Sequence, residues 1–327
     1  MNNWSNIFSE LNQNFLDIKS IKLLKDSLNS EIYSIIYKGE KSILKIYKSK
    51  DQIRIQREAK VLTFLNKKNF KKIPKIYESN LKRNFIIMSY LEGKNPNSDI
   101  NFINKLSNYI NEMQLYIGLE DKKNLPYAAE ACLNLNEHFE KTIKKITDIR
   151  NKIKEFKYSY ETLDIIEYKI LPWIDNYKKD IQLKIKCKDN IDNKDLILSQ
   201  SDIGIHNTFI FENELYTFDY EYAGLDDPAK TICDLIINPN TFLNTEEILI
   251  SLNHLKKLKI FKNSYKKALI ILPLYRYKWF AIIVNSFLKN INTNKSNASL
   301  FFNKANNYLN NTYTPINSIL KNINLKI

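Results

Sequence analysis

Apolar residues alternate with polar ones over two short stretches near the start of the chain, Ile32–Tyr37 and Ser42–Tyr47. Period-2 alternation rich in β-branched and aromatic residues predicts strands, and the intervening Lys38-Gly39-Glu40-Lys41 predicts a hairpin turn. The next stretch, "DQIRIQREAKVLTFLNKK", changes period. Ile55, Ala59, Leu62 and Leu65 fall on one helical face, with Ser49 or Asp51 as the N-cap. "KIPKIYES" and "RNFIIMSYLEGKNP" then predict two more strands, ending at Gly93 and Pro96. Ahead of all these, Trp4, Phe8, Leu11, Phe15 and Ile18 recur at helical spacing.

From about Asn101 the period is helical, as in "LDIIEYKILPWIDNYKKDIQLKI". Short strand-like runs interrupt it between Leu196 and Lys230. Helical patterns return from Thr245, including "ALIILPLYRYKWFAIIVNSFL", and continue through Phe301, Phe302, Tyr308 and Leu309. The pattern predicts an α+β chain. A small β-rich N-lobe over 1–92 is followed by a large helical C-lobe over 93–327.

Composition adds bounds. With 327 residues, 44% hydrophobic and 26% charged, the chain suits a globular protein with two lobes. No uninterrupted apolar run approaches the ~18 residues of a membrane span. The N-terminal stretch lacks the basic and apolar regions of a secretory signal. Three scattered cysteines argue against a disulfide framework or a cysteine-rich zinc site, and a reducing cytoplasm is expected. The net charge of +14 comes with enrichment in Lys, Asn and Ile together, as an AT-rich genome produces, and with no nucleic-acid-binding motif. Net charge speaks only to non-specific attraction, so no nucleic-acid role is expected.

The chemistry gathers in "SQSDIGIHNTFIFENELYTFDYEYAG". Asp202 and Asn207, five apart on a loop after a strand, can converge on one point. A carboxylate there can orient or deprotonate a hydroxyl. An amide oxygen suits a hard cation such as Mg²⁺, and Asp219 at the exit of the next strand pair offers a second hard ligand. Each residue alone is better explained structurally, Asp202 as a turn cap, Asn207 by αL geometry and Asp219 by an Asx turn, and it is their joint spacing that points to chemistry. Gly204 and Gly224 are expected where the backbone turns tightly.

The same residues, followed by Asp227-Pro228 and Asp234-Leu235, resemble the aminoglycoside phosphotransferase and choline kinase superfamily, small-molecule kinases with a protein-kinase-like bilobal fold. The resemblance is strong over roughly forty residues. It implies Asp202 as the catalytic carboxylate, Asn207 and Asp219 as Mg²⁺ ligands, and Asp234 as a structural residue holding the catalytic loop. "SILKIY" resembles the strand carrying the phosphate lysine, which implies Lys45, with Glu58 as its partner. "FIIMSYLEG" resembles the hinge, with Ser89, Tyr90 and Leu91 facing the nucleobase and Met88 as pocket wall. The phosphate-covering loop has no glycine, so Asn29 and Ser30 have to supply its turn and N–H groups. Gln200 stands where the family usually has a loop-bracing histidine. His206 is expected to be a loop or core histidine.

The implied activity is Mg²⁺-dependent transfer of the γ-phosphate of ATP or GTP to a hydroxyl of a small polar metabolite. A sugar or an amino alcohol is the expected acceptor, in cell-surface carbohydrate metabolism. Glu221 and Tyr222 are placed to face it. So are Tyr275, Arg276 and Trp279, although the stripe from Leu272 to Ile283 reads equally well as core. Gln200 and the glycine-free loop motivate the alternative of a nucleotide-binding pseudokinase. A protein kinase is disfavoured, since H-R-D, D-F-G and A-P-E triplets are lacking.

Overall fold

The computed structural model describes residues 18–322, apart from 28, 49–51, 155–159, 185–189, 242 and 291–297. The expected N-terminal helix and the N-cap at Ser49 or Asp51 lie outside the described residues.

The N-lobe is built on an antiparallel sheet in the order β1-β2-β3-β5-β4. Its strands are β1 (Ile18–Asp26), β2 (Ser30–Tyr37), β3 (Glu40–Tyr47), β4 (Ile76–Asn80) and β5 (Phe85–Ser89). The β2–β3 hairpin is tighter than expected. Tyr37 pairs with Glu40, leaving Lys38 and Gly39 as a two-residue turn. Both have positive φ, 52° and 84°, as a type I′ turn requires. β1 is an additional strand that the pattern did not announce. Its residues are exposed except for Ile18, so no buried face stamped an alternation on them.

Alternation along β3 decides where Lys45 points. Leu44 and Ile46 pack with Tyr33, Ile35, Phe85 and Ile87 on one face of the sheet. Ile43 and Tyr47 pack on the other, against Ile55, Ala59, Ile86 and Met88. Lys45 shares this second face, towards helix α1 (Gln52–Lys67) and the interlobe cleft. The C-terminal half of α1 continues into the C-lobe core through Val61, Leu62 and Leu65.

The C-lobe is helical. Its longer helices are α2 (Ile100–Gln114), α3 (Leu135–Ile153), α4 (Leu171–Lys184), α5 (Pro228–Ile236), α6 (Thr245–Lys257), α7 (Tyr265–Asn290) and α8 (Ala298–Asn322). α5 opens on an Asp227 cap whose side chain accepts from the Ala229 amide at 2.8 Å, with Pro228 at the first helical position. By length and composition the Tyr265–Leu288 part of α7 passes for a membrane span, with a mean hydropathy of 1.3, but 78% of that stretch is buried within the lobe. A helix apolar on all sides is what a central core helix requires.

Two short ribbons set the site into this lobe: β6 (Ile197–Ser199) with β9 (Gly224–Asp226), and β7 (Thr208–Phe211) with β8 (Glu214–Thr217). Lys94, just past the last N-lobe strand, exchanges backbone hydrogen bonds with Ile210 at 2.8 and 2.9 Å, clamping the connection between lobes onto β7. The glycines work differently from expectation. Gly204 is extended, at φ 175°. Gly224 lies within β9, and a Cβ there would stand 2.4 Å from Tyr127 C and Ala128 N. Close backbone approach, not a tight turn, requires this glycine.

Candidate active site

Between the lobes lies a cavity of about 290 Å³, walled by apolar groups including Ile32, Ile43, Met88, Leu91, Phe209 and Phe218. Ser89 and Tyr90 line it, and Lys45, Glu58 and Asp219 form its polar end. Met88 is thus both core and cleft wall, as the sequence implied.

At the polar end, Lys45 Nζ lies 2.7 Å from Glu58 Oε2 and 2.8 Å from Asp219 Oδ1. Glu58 is fully buried. Besides the lysine, its carboxylate accepts the Tyr47 hydroxyl and, at 3.0 Å, the Tyr220 amide. Burial works against the Lys45 charge, but Asp219, Glu58 and Glu221 outweigh it and hold its pKa well above the ordinary lysine value. Burial also opposes the Asp219 carboxylate, yet Lys45 keeps its pKa below the usual range. Burial raises the pKa of Glu58, with Lys45 pulling against it. The lysine is therefore a fixed cation at the cleft end.

The loop after β6 carries the other residues. Asp202 is partly exposed, with His206 Nε2 3.4 Å from its Oδ1. His206 borders the cleft and sits against the carboxylate, so it belongs to the loop and not to the core. Asn207 is buried and donates its Nδ2 to the Asp202 carbonyl at 2.8 Å, which leaves Oδ1 as the acceptor side of the amide. Ser201 and Asp219 both take left-handed backbone, at φ 67°. Such conformations persist where the surroundings over-determine them, and the bonds that do so are visible. Lys230 Nζ donates to Ser201 Oγ at 3.0 Å and pairs with the fully buried Asp226. Gln200 Nε2 donates to the carbonyls of Phe218 and, at 3.1 Å, Asp219. Gln200 thus braces the segment carrying Asp219.

Several expectations change. Asp234, expected to hold the Asp202 loop, is bonded elsewhere among the described residues. Its carboxylate receives Lys278 Nζ at 2.8 and 3.1 Å, tying α5 to α7, and Asp226 with Lys230 holds the loop instead. Ser30 does not present its amide to the cleft, because that N–H is donated to Ser27 Oγ at 3.1 Å. Asn29 turns its side chain to Glu221 Oε1 at 2.9 Å and to the Tyr222 hydroxyl at 3.2 Å. Glu221 and Tyr222 therefore turn their side chains to Asn29 and Arg54 of the N-lobe. The acceptor face on α7 does not form either. Tyr275 is buried in the core, its hydroxyl 2.7 Å from His138 Nδ1. Arg276 is buried and donates to the Tyr277 hydroxyl at 2.8 Å. Trp279 rests half-buried against the same core. Burial favours neutral His138, but its bond to Asp227 prevails and lifts its pKa to about 9.

Sequence reasoning missed Tyr47, Arg54 and the Asp226–Lys230 pair. The available signal was the four-residue step from Asp226, at the end of β9, to Lys230 in the first turn of α5.

No protein-family model and no curated protein matches the chain. Solved structures match nearly all of it. A choline kinase from Cryptosporidium parvum Iowa II aligns with a TM-score of 0.62 at 12% identity, covering 98% of this chain and 97% of that one. The choline kinase LicA from Streptococcus pneumoniae aligns at 0.61 and 15%, covering 94% and 99%. The spectinomycin phosphotransferase APH(9)-Ia, in complex with ADP and spectinomycin, aligns at 0.60 and 15%, covering 95% and 98%. The protein shares the protein-kinase-like fold of these enzymes, as the sequence resemblance implied.

Proposed function

We propose that this protein is a Mg²⁺-dependent phosphotransferase that moves the γ-phosphate of ATP or GTP to a hydroxyl of a small polar metabolite, a sugar or an amino alcohol. One observation carries the reading: a single buried lysine joins Glu58 of α1 to Asp219 of the C-lobe at the polar end of an apolar cleft. An apolar slot ending in a fixed cation suits a flat base with a phosphate chain. The fold shared with the ADP-bound spectinomycin phosphotransferase supports a nucleotide donor.

In this reading the base lies between Ile43, Met88, Leu91 and Phe218, with the backbone of Ser89, Tyr90 and Leu91 at its edge. Lys45 takes the α- and β-phosphates. Asn207 Oδ1 and the Asp219 carboxylate, hard oxygen donors on two segments joined by the Phe218 amide's bond to the Asn207 carbonyl at 3.1 Å, would hold a Mg²⁺ ion. When bound, that ion would neutralise charge on the phosphates. Asp202 accepts the acceptor hydroxyl's proton as its oxygen bonds to the γ-phosphorus and the bond to the β-phosphate oxygen breaks. Asn207 fixes the backbone at Asp202, and Gln200 fixes it at Asp219, so both carboxylates are held before substrate arrives.

The bracing role of Gln200 counts against a pseudokinase, since that residue was a main reason to consider one. The sparse cysteines favour a cytoplasmic enzyme. Incubation with γ-labelled ATP or GTP, Mg²⁺ and a panel of sugars, amino alcohols and aminoglycosides tests the proposal. Label should move to at least one hydroxyl compound, and transfer to none would reject it.

A further inference from the structure

Glu221 lies two residues beyond Asp219, yet its side chain belongs to the N-lobe. It is 3% exposed. Oε1 receives Arg54 Nη1 at 2.9 Å and Asn29 Nδ2 at 2.9 Å. Oε2 is buried without a hydrogen bond and lies 3.5 Å from Lys45 Nζ. Arg54 also donates to the Tyr222 hydroxyl at 2.6 Å, with its guanidinium 4.8 Å from that ring's centre. Arg54 stands in the first turn of α1, the helix that carries Glu58.

Three carboxylates, Glu58, Asp219 and Glu221, thus converge on Lys45, with oxygens within 4.8 Å of one another. Two of them hold the ammonium at full ion-pair distance. The third stands back at 3.5 Å, because Arg54 and Asn29 engage its other oxygen. A buried carboxylate that lost this guanidinium would draw on Lys45, 3.5 Å from its free oxygen, while Arg57 Nη1 donates to the Glu221 backbone carbonyl at 3.4 Å. A lysine taken up by a third carboxylate has less charge to offer a phosphate.

The geometry points to Arg54 as a positioning residue for the phosphoryl donor: by holding Glu221 off Lys45, it keeps the lysine available to the nucleotide phosphates. This rests on the kinase reading above. Arg54 acts through Glu221 and touches neither the phosphate nor the reacting atoms.

Calorimetric titration of the 327-residue protein with Mg·ATP, and with Mg·GTP in parallel, reads this directly, without needing an acceptor. Arg54→Ala should weaken binding by roughly tenfold or more, the scale of a lost charge-assisted hydrogen bond. Arg54→Lys keeps the charge without the fork and should recover part of the loss. The decisive variant is Arg54→Ala with Glu221→Gln. Removing the charge that Arg54 restrains should restore most of the affinity, whereas simple loss of lobe contacts would be deepened by the second change. Melting curves on the same samples separate affinity from folding. Wild-type affinity in Arg54→Ala, or no recovery in the double variant, overturns the inference while leaving the kinase reading intact. Absence of binding to both Mg·ATP and Mg·GTP in the wild type brings down both.

Discussion

Lys45 Nζ stands 2.8 Å from Asp219 Oδ1, an ion pair between a strand of the N-lobe and a loop of the C-lobe, 174 residues apart in the chain. The pair has a consequence for folding as well as for binding. Removing the ammonium leaves Glu58, which is fully buried, without its cation. Breaking one side of a buried ion pair costs about 3 kcal/mol or more. Lys45→Met should therefore lower stability by that order in urea denaturation and abolish measurable Mg·ATP binding. A variant as stable as the wild type with unchanged affinity would remove Lys45 from the site.

Gln200 offers a sharper test of the loop. Its Nε2 donates to the carbonyls of Phe218 and Asp219, so the side-chain donor is what matters. Gln200→Glu replaces a donor by an acceptor facing two carbonyls and should cost more than Gln200→Ala, which we expect to lose about 1–2 kcal/mol. Both should weaken Mg·ATP binding through Asp219. Equal stability of the two variants would show that the amide is not bracing the loop.

The core of the C-lobe carries a pH signature. His138 is buried between Asp227 and the Tyr275 hydroxyl, Cys132 lies beside it, and Lys267 shares Asp227 at 2.5 Å. Its pKa rises from 6.5 to about 9 on folding. A raised folded pKa stabilises fully below the unfolded value, and the benefit fades as pH climbs from about 6.5 through about 9. The part lost is of order 3 kcal/mol. Denaturation midpoints measured across that window should fall in the wild type and flatten in His138→Gln. An identical slope in both would remove His138 as the cause.

Gly224 tests the packing beneath the site. A methyl group there would meet backbone atoms of Tyr127 and Ala128 at 2.4 Å, where no flexible side chain can yield. Gly224→Ala should cost about 3 kcal/mol by overpacking and shift the β6–β9 ribbon that leads into the Asp202 loop. A melting temperature within a degree of wild type would contradict this.

How much of this the sequence shows varies by residue, for physical reasons. Alternation in "SILKIY" was enough to place Lys45 with its apolar neighbours on a buried strand, and helical spacing put Glu58 beside the buried stripe of α1. Asp202, Asn207 and Asp219 sit in one short stretch, so their grouping survives in local spacing. β1 left no trace, because an exposed edge strand need not alternate. Tyr275 was ambiguous for the opposite reason: an aromatic stripe looks the same in a core and in a binding face, and only His138, distant in the chain, distinguishes them. Glu221 is reversed by the left-handed turn at Asp219, which no periodicity announces.

We assign Asp202 to phosphoryl transfer, and Lys45, Asn207 and Asp219 to the donor. Asp202→Asn compared with wild type in one experiment tests this assignment most directly, measuring label transfer from γ-labelled nucleotide and Mg·nucleotide affinity on the same preparations. Transfer is expected from the wild type and lost in Asp202→Asn, with nucleotide affinity within a few-fold in both. Wild-type transfer rates in Asp202→Asn would contradict it.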